Sequence, residues 1–180
     1  REILARRPRH PDALHLLGAL AGAAGRHDEA LALIGQAIQA SPTVAAFHNS
    51  LGLALQSQGR HCEAGLCFAQ ALSLAPGFVE AHVNFGNSLQ SLGLLQEAAA
   101  QYQAALRSRP DCAEAHNNLG NALLAGEDAH AAEACFREAL RLRPDYAAAW
   151  VNLSGALQRQ QRPEEAQRCC LEAVRLAPEM

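Results

Sequence analysis

Lysine is absent from this 180-residue chain, so all fifteen basic residues are arginine, set against eighteen acidic residues for a formal net charge of −3. A basic stripe able to track a phosphate backbone is missing, and no nucleic-acid partner is expected. Aromatic residues make up only 4% of the chain, and there is a single Trp. With 39 Ala and 27 Leu, this is a helix former's composition, poor in the β-branched and aromatic residues that fill strands; it argues against an all-β or doubly wound α/β fold. No apolar run approaches the roughly 18 to 20 residues of a membrane span, and the opening segment REILARRPRH lacks the apolar core of a signal peptide. A cytoplasmic location with no membrane partner is the expectation. The first residue is Arg1 rather than Met, so the chain is expected to be an excerpt of a longer protein.

Sequence signatures of chemistry are also missing. None of the six cysteines (Cys62, Cys67, Cys112, Cys135, Cys169, Cys170) forms a C-x-x-C pair, and no nucleophile elbow, P-loop or dinucleotide glycine pattern is present. The thiols are expected to stay reduced and unpaired. No catalytic residue, cofactor or metal ligand is expected either. His48, His82 and His116 recur 34 residues apart, but packed helices set equivalent points roughly 10 Å apart, whereas zinc ligands must lie within about 2.0 to 2.1 Å of the metal. Packing is the better account of these histidines.

What the chain does have is a period. Counting positions 1 to 34 from Pro11 gives repeats at 11–44, 45–78, 79–112, 113–146 and 147–180, without insertions. Position 8 holds Gly18, Gly52, Gly86, Gly120 and Ser154, and position 20 holds Ala30, Ala64, Ala98, Ala132 and Ala166. Position 27 holds Ala37, Ala71, Ala105, Ala139 and Ala173, and position 32 is Pro42, Pro76, Pro110, Pro144 and Pro178. Large apolar residues fill position 7 (Leu17, Leu51, Phe85, Leu119, Leu153) and position 24 (Ile34, Phe68, Tyr102, Phe136), where Cys170 comes last.

Positions 4, 7, 8 and 11 fall within an arc of about 100° on a helix and form one apolar stripe. Gly25, Gly59 and Gly93 at position 15 supply a residue that tolerates a left-handed turn. A second helix then starts near position 17 or 18, with Glu29, Glu63, Glu97 and Glu165 in its first turn and arginines in its last, both complementing the helix dipole. Repeats 4 and 5 place Glu127 and Gln161 at position 15, with Gly126 one residue early, so their turn is expected to shift by a residue. Positions 3 and 10 are mostly Ala, as close helix contact requires, although Phe47 breaks the series. A lone helical pair cannot bury its apolar side, so the pairs must stack on their neighbours.

These residues resemble the tetratricopeptide repeat, a 34-residue helix-turn-helix unit with a Trp-like position, Leu-Gly, small Ala positions, aromatics and a closing Pro. The resemblance implies an all-α, right-handed α-solenoid over residues 11–180. Residues 1–10, with Pro8 in the proline position, match the tail of a preceding repeat.

All seven asparagines lie in three positions of the first helix: Asn49 and Asn117 at position 5, Asn84, Asn118 and Asn152 at position 6, Asn87 and Asn121 at position 9. At 100° per residue these centre about 150° from the buried stripe, on the side that lines the inner surface of such a solenoid. Asn is a middling helix former, so its recurrence on an exposed face needs a reason other than propensity. Its amide offers donors and an acceptor that can bracket the N–H and C=O of an extended peptide; alternatively, the amides bond between neighbouring helices and brace them. Segments such as AHVNFGNSLQ and AHNNLGNALL resemble the asparagine ladder of O-GlcNAc transferase-like proteins. The ladder is incomplete, because repeat 1 has Leu16 and Ala19 there and repeat 2 has Ser50 and Leu53. The family's other known groove chemistry, a cationic clamp for a chaperone's terminal carboxylate, is disfavoured by Asp12, Glu80 and Glu114 at position 2.

The expected function is a non-catalytic protein–protein interaction scaffold that binds an extended polypeptide in its concave groove. Two rival readings stand beside it, a substrate-selecting arm of a larger glycosyltransferase or other transferase and a self-assembling structural scaffold. End-to-end self-association is expected in particular, through the second helix of repeat 5 or the turns near Ile3.

Overall fold

The computed structural model describes residues 10–177, and among these every regular element is an α-helix. Residues 1–9 and 178–180 lie outside the described residues, and with them the expected repeat tail, Ile3 and the closing Pro178. The first helices of the repeats are α1 (Pro11–Ala23), α3 (Ala45–Gln56), α5 (Val79–Ser91), α7 (Ala113–Ala125) and α9 (Ala147–Arg159). The second helices are α2 (His27–Ala40), α4 (His61–Leu74), α6 (Leu95–Ser108), α8 (Ala129–Leu142) and α10 (Pro163–Leu176). Every first helix therefore starts at position 1 and every second helix at position 17.

The chain divides into two compact units, residues 1–92 and 93–180. In the first unit α1 pairs with α2 and α3 with α4, and each pair packs on the next first helix. The second unit repeats this with α7–α8 and α9–α10, and α6 packs on α7.

The pairing rests on a size match between positions 8 and 24. A Cβ on Gly52 would stand 2.5 Å from the Phe68 ring, one on Gly120 would stand 2.5 Å from Phe136, and one on Gly18 would stand 2.6 Å from Ile34. Glycine is thus required where a bulky residue of the second helix crosses the first. Ile34, Phe68, Tyr102 and Phe136 are fully buried, whereas Cys170 at the same position is exposed. Burial pushes the Tyr102 phenol far above its ordinary range, with the Glu114 carboxylate adding to the effect. The alanines at positions 20 and 27 are buried in every repeat. Phe47, the exception at position 3, is buried against Leu14 and Ala37, its ring centroid 4.7 Å from that of His15.

The turn does not shift in repeats 4 and 5. Glu127 (φ 69°) and Gln161 (φ 59°) themselves take the left-handed conformation held by Gly25, Gly59 and Gly93, and Gly126 stays at φ −82°. The cause is the closing hydrogen bond. The position-16 N–H reaches back to the position-11 carbonyl in Arg26→Ala21, Arg60→Leu55, Asp128→Leu123 and Arg162→Leu157, which needs a left-handed residue between. The spacing of this closure overrides the local preference for glycine.

In four of the five repeats the side chain at position 16 also holds the first turn of the second helix. Arg26, Arg60 and Arg162 ion-pair with the glutamate three residues on, at 2.6 to 2.7 Å. In repeat 4 Asp128 replaces the arginine and its carboxylate accepts the Ala131 N–H at 2.9 Å, a direct cap. The second unit adds a charged hub. Glu133, only 13% exposed, accepts from Gln160 Nε2 at 2.8 Å and from Arg162 Nη1 at 2.7 Å, and pairs with Arg137 at 2.8 Å. Burial alone would raise its pKa, but the bonds from Gln160, Arg137 and Arg162 outweigh burial and hold the carboxyl below its usual range.

Candidate interaction site on the first helices

The asparagines divide into two classes by burial. Asn49 and Asn117 are 7% and 4% exposed, which corrects the expectation of a uniformly exposed row. Asn49 and Asn117 face the next first helix rather than solvent. There Asn84 Nδ2 donates to Asn49 Oδ1 at 3.1 Å, and Asn152 Nδ2 donates to Asn117 Oδ1 at 2.9 Å. His15 Nε2 and Ser50 Oγ form the same rung at 2.7 Å. All three rungs link position 5 of one repeat with position 6 of the next. The signal was in the sequence as an offset of one period plus one residue.

Asn84, Asn118 and Asn152 at position 6, and Asn87 and Asn121 at position 9, are half-buried. Asn118 Oδ1 accepts from Asn117 Nδ2 at 3.2 Å. Asn84 and Asn152 each commit one N–H to a rung, which leaves the amide oxygen and the second N–H as an adjacent acceptor and donor. Within the first unit the rungs bring Asn49 and Asn84 together, and Asn87 follows on α5; within the second they bring together Asn117, Asn118 and Asn152, with Asn121 on α7.

Position 4 has a role that the sequence reading assigned to packing alone. His48, His82 and His116 each donate Nε2–H to the carbonyl of the proline six residues earlier, Pro42, Pro76 and Pro110, at 2.8 to 2.9 Å. Trp150 Nε1 makes the equivalent bond to Pro144 at 2.9 Å. A carbonyl only accepts, so each imidazole carries its proton on Nε2. Trp150, a pure donor, was the clue. Among the described residues, no group of three or more His, Cys, Asp or Glu side chains could hold a metal ion, and all six thiols are free.

The first unit also contains an apolar cleft of about 220 Å³ between α1 and α3, lined by Gly18, Gly22, Ile34, Leu53, Ala54 and Ser57 among others. Leu16, Leu20 and Leu53, 61%, 63% and 41% exposed, lie on the same two helices.

The tetratricopeptide repeat model matches residues 15–77, 83–129 and 118–180. The chain belongs to the tetratricopeptide repeat family. Solved TPR structures share its fold at low identity. MamA (residues 41 to the end) from Desulfovibrio magneticus RS-1 is 19% identical with a TM-score of 0.83, covering 94% of this chain and 96% of that one. PilF of Pseudomonas aeruginosa is 20% identical with a TM-score of 0.86, covering 93% and 76%. YrrB, described as a TPR protein with an unusual peptide-binding site, is 18% identical with a TM-score of 0.76, covering 99% and 92%. No curated protein sequence matches the chain. Among the described residues, no helix is long and apolar enough to cross a membrane.

Proposed function

We propose that the chain is a non-catalytic interaction module that binds an extended polypeptide along its first helices, in the cytoplasm, where six free thiols suit a reducing compartment. One observation carries the reading. Asn84 and Asn152, each pinned by a single rung, keep an acceptor and a donor side by side, the complement of one residue of an extended main chain. Asn121 adds a third amide on α7, half-buried and outside the rungs. The likeness of the row to the ladder of O-GlcNAc transferase-like proteins supports the same use, as does the peptide-binding site described for YrrB, which has the same fold. End-to-end self-association is a secondary element of the proposal, through α10, where Leu171 and Val174 are 62% and 59% exposed.

The rungs change how the site must be tested, because removing Asn49 or Asn117 breaks a buried hydrogen bond and costs stability whether or not a ligand exists. The informative variant is Asn121→Ala, at an amide outside the rungs. Peptides selected from a phage-displayed library of random dodecapeptides should lose roughly tenfold in affinity for it, about 1.4 kcal/mol, with Tm unchanged. Affinity unaffected by this variant would make the amides braces only. Light scattering over a concentration series tests the self-association; a monomer at all concentrations removes it.

A further inference from the structure

The α1–α3 cleft exists because of one residue. Position 12 is Gln56 in repeat 2, and its Nε2 reaches across the gap between α3 and α5 to Ser88 Oγ at 3.1 Å and to the Asn84 carbonyl at 3.4 Å. In repeat 4 the same position is Leu124, which packs into the core of the second unit and lies 3.9 Å from a Cβ placed on Gly155. In repeat 1 it is Gly22, so no side chain crosses from this position of α1 to α3 and about 220 Å³ stays open. The polar atoms in its wall are already engaged, Ser50 Oγ with His15 and Ser57 Oγ with the Ala54 carbonyl and His27. What faces the opening is mostly carbon.

We propose that this cleft seats one large apolar side chain (Leu, Ile, Met or Phe) of the bound polypeptide. The inference rests on the inner-face reading above and names the ligand's anchor. Size agrees, since an apolar cavity of about 150 Å³ holds a benzene ring. The leucine rim agrees too, because apolar side chains gathered on an exposed face mark contact surfaces. The cleft neighbours the amide row inside the first unit, since α3, one of its walls, also packs on α5, which carries Asn84 and Asn87. Neighbouring helices lie about 8 to 10 Å apart and an extended chain advances about 3.3 Å per residue, so the anchor falls about four residues from the main-chain segment that meets Asn84.

The test is Gly22→Gln, which recreates the plug seen at Gln56. The nearest atom to a new Cβ at Gly22 is Ala30 Cβ at 3.7 Å, an ordinary contact, and the change replaces a glycine in the last turn of α1, where Gln is the better helix former, so Tm should hold or rise. Selected dodecapeptides should share one large apolar residue; its replacement by Ala, and Gly22→Gln in the protein, should each weaken binding at least tenfold and not add to one another. Independently, millimolar N-acetyl-leucinamide should shift the backbone amide resonances of Gly18, Gly22 and Leu53 in the wild-type protein and leave them unmoved in Gly22→Gln. Peptides that bind wild type and Gly22→Gln equally would overturn the anchor while leaving the amide-row reading intact. A library that yields no binder would overturn both. Concentration-dependent dimers abolished by Gly22→Gln would make the occupant a second copy and also overturn the proposal.

Discussion

Turns inside the first unit close on Gly25 and Gly59, whereas those of repeats 4 and 5 in the second close on Glu127 and Gln161 in the same left-handed conformation. The first unit carries isolated Arg–Glu pairs at its helix starts, while the second ties α8, α10 and the turn between α9 and α10 together through Glu133. The inner faces differ as well, with leucines and an open cleft on α1 and α3 against amides and a Leu124 plug on α7 and α9. One repeat geometry therefore tolerates two ways of offsetting local strain. In the first unit glycine avoids the strain; in repeats 4 and 5 the closing hydrogen bond from position 16 to position 11 outweighs it.

The comparison is sharpened most by Phe68→Ala and Phe136→Ala, which remove fully buried rings from the same position in either unit. Each should cost about 3 to 5 kcal/mol in urea denaturation, since the backbone over the glycine cannot collapse into the space. Costs that differ by more than about 1 kcal/mol between the two would break the equivalence of the pairings.

Next in size is Glu133→Ala, expected to cost about 1 to 3 kcal/mol because two charged partners and an amide lose a largely buried acceptor. Glu63→Ala in the first unit should cause no resolvable change, its pair with Arg60 being exposed and screened. Equal losses would mean that the hub is ordinary surface charge.

Turn chemistry comes third. Glu127→Gly and Gln161→Gly should each raise stability by about 0.5 to 1 kcal/mol, the relief of a left-handed non-glycine residue less the entropy of glycine, and Gly59→Ala should lower it by a similar amount. A loss of stability in Glu127→Gly would show that this side chain has a role beyond its backbone.

The smallest effect is one of pH. Burial beside Phe47 pushes the His15 pKa below its ordinary value of 6.5, and Asp12 only partly restores it. The unfolded chain then binds the proton more readily, so the stability His15 contributes is present above about pH 6.5 and is lost as pH falls through the lower folded value. Glu133 loses its contribution only below about pH 4.5. Melting between pH 5 and 7 should thus weaken the first unit, and His15→Asn, which keeps an amide in the rung, should flatten that slope.

Much of this was legible in the sequence, because a fixed period turns each residue into five observations. Helix starts, the recurrence of glycine at position 8 and of bulky residues at position 24, and the second-helix alanines follow directly from the counts; that the glycine lies under the bulky residue does not. The turn in repeats 4 and 5 was misjudged because glycine was taken as its cause, when the cause is the hydrogen bond from position 16 to position 11. Bonding between neighbouring helices was one of the two readings of the amides; its register was not foreseen because a column of identical positions shows what recurs, and Asn49 meets Asn84 one residue out of column. The cleft at Gly22 was not legible at all; it is the absence of a side chain, and only the reach of Gln56 across the neighbouring gap reveals what is missing.

The bond from Trp150 to the Pro144 carbonyl gives the protein a built-in probe. Because the chain has a single Trp, its indole N–H is one isolated signal in a proton–nitrogen spectrum, and it reports whether the joint between the fourth and fifth repeats is closed. Its solvent-exchange rate would time the opening of that joint without any label. The histidines at the equivalent position hold the same geometry, so a Trp moved to 48, 82 or 116, with Trp150→His, would carry the reporter to each earlier joint in turn. Four such proteins would yield the order in which the joints come apart on heating.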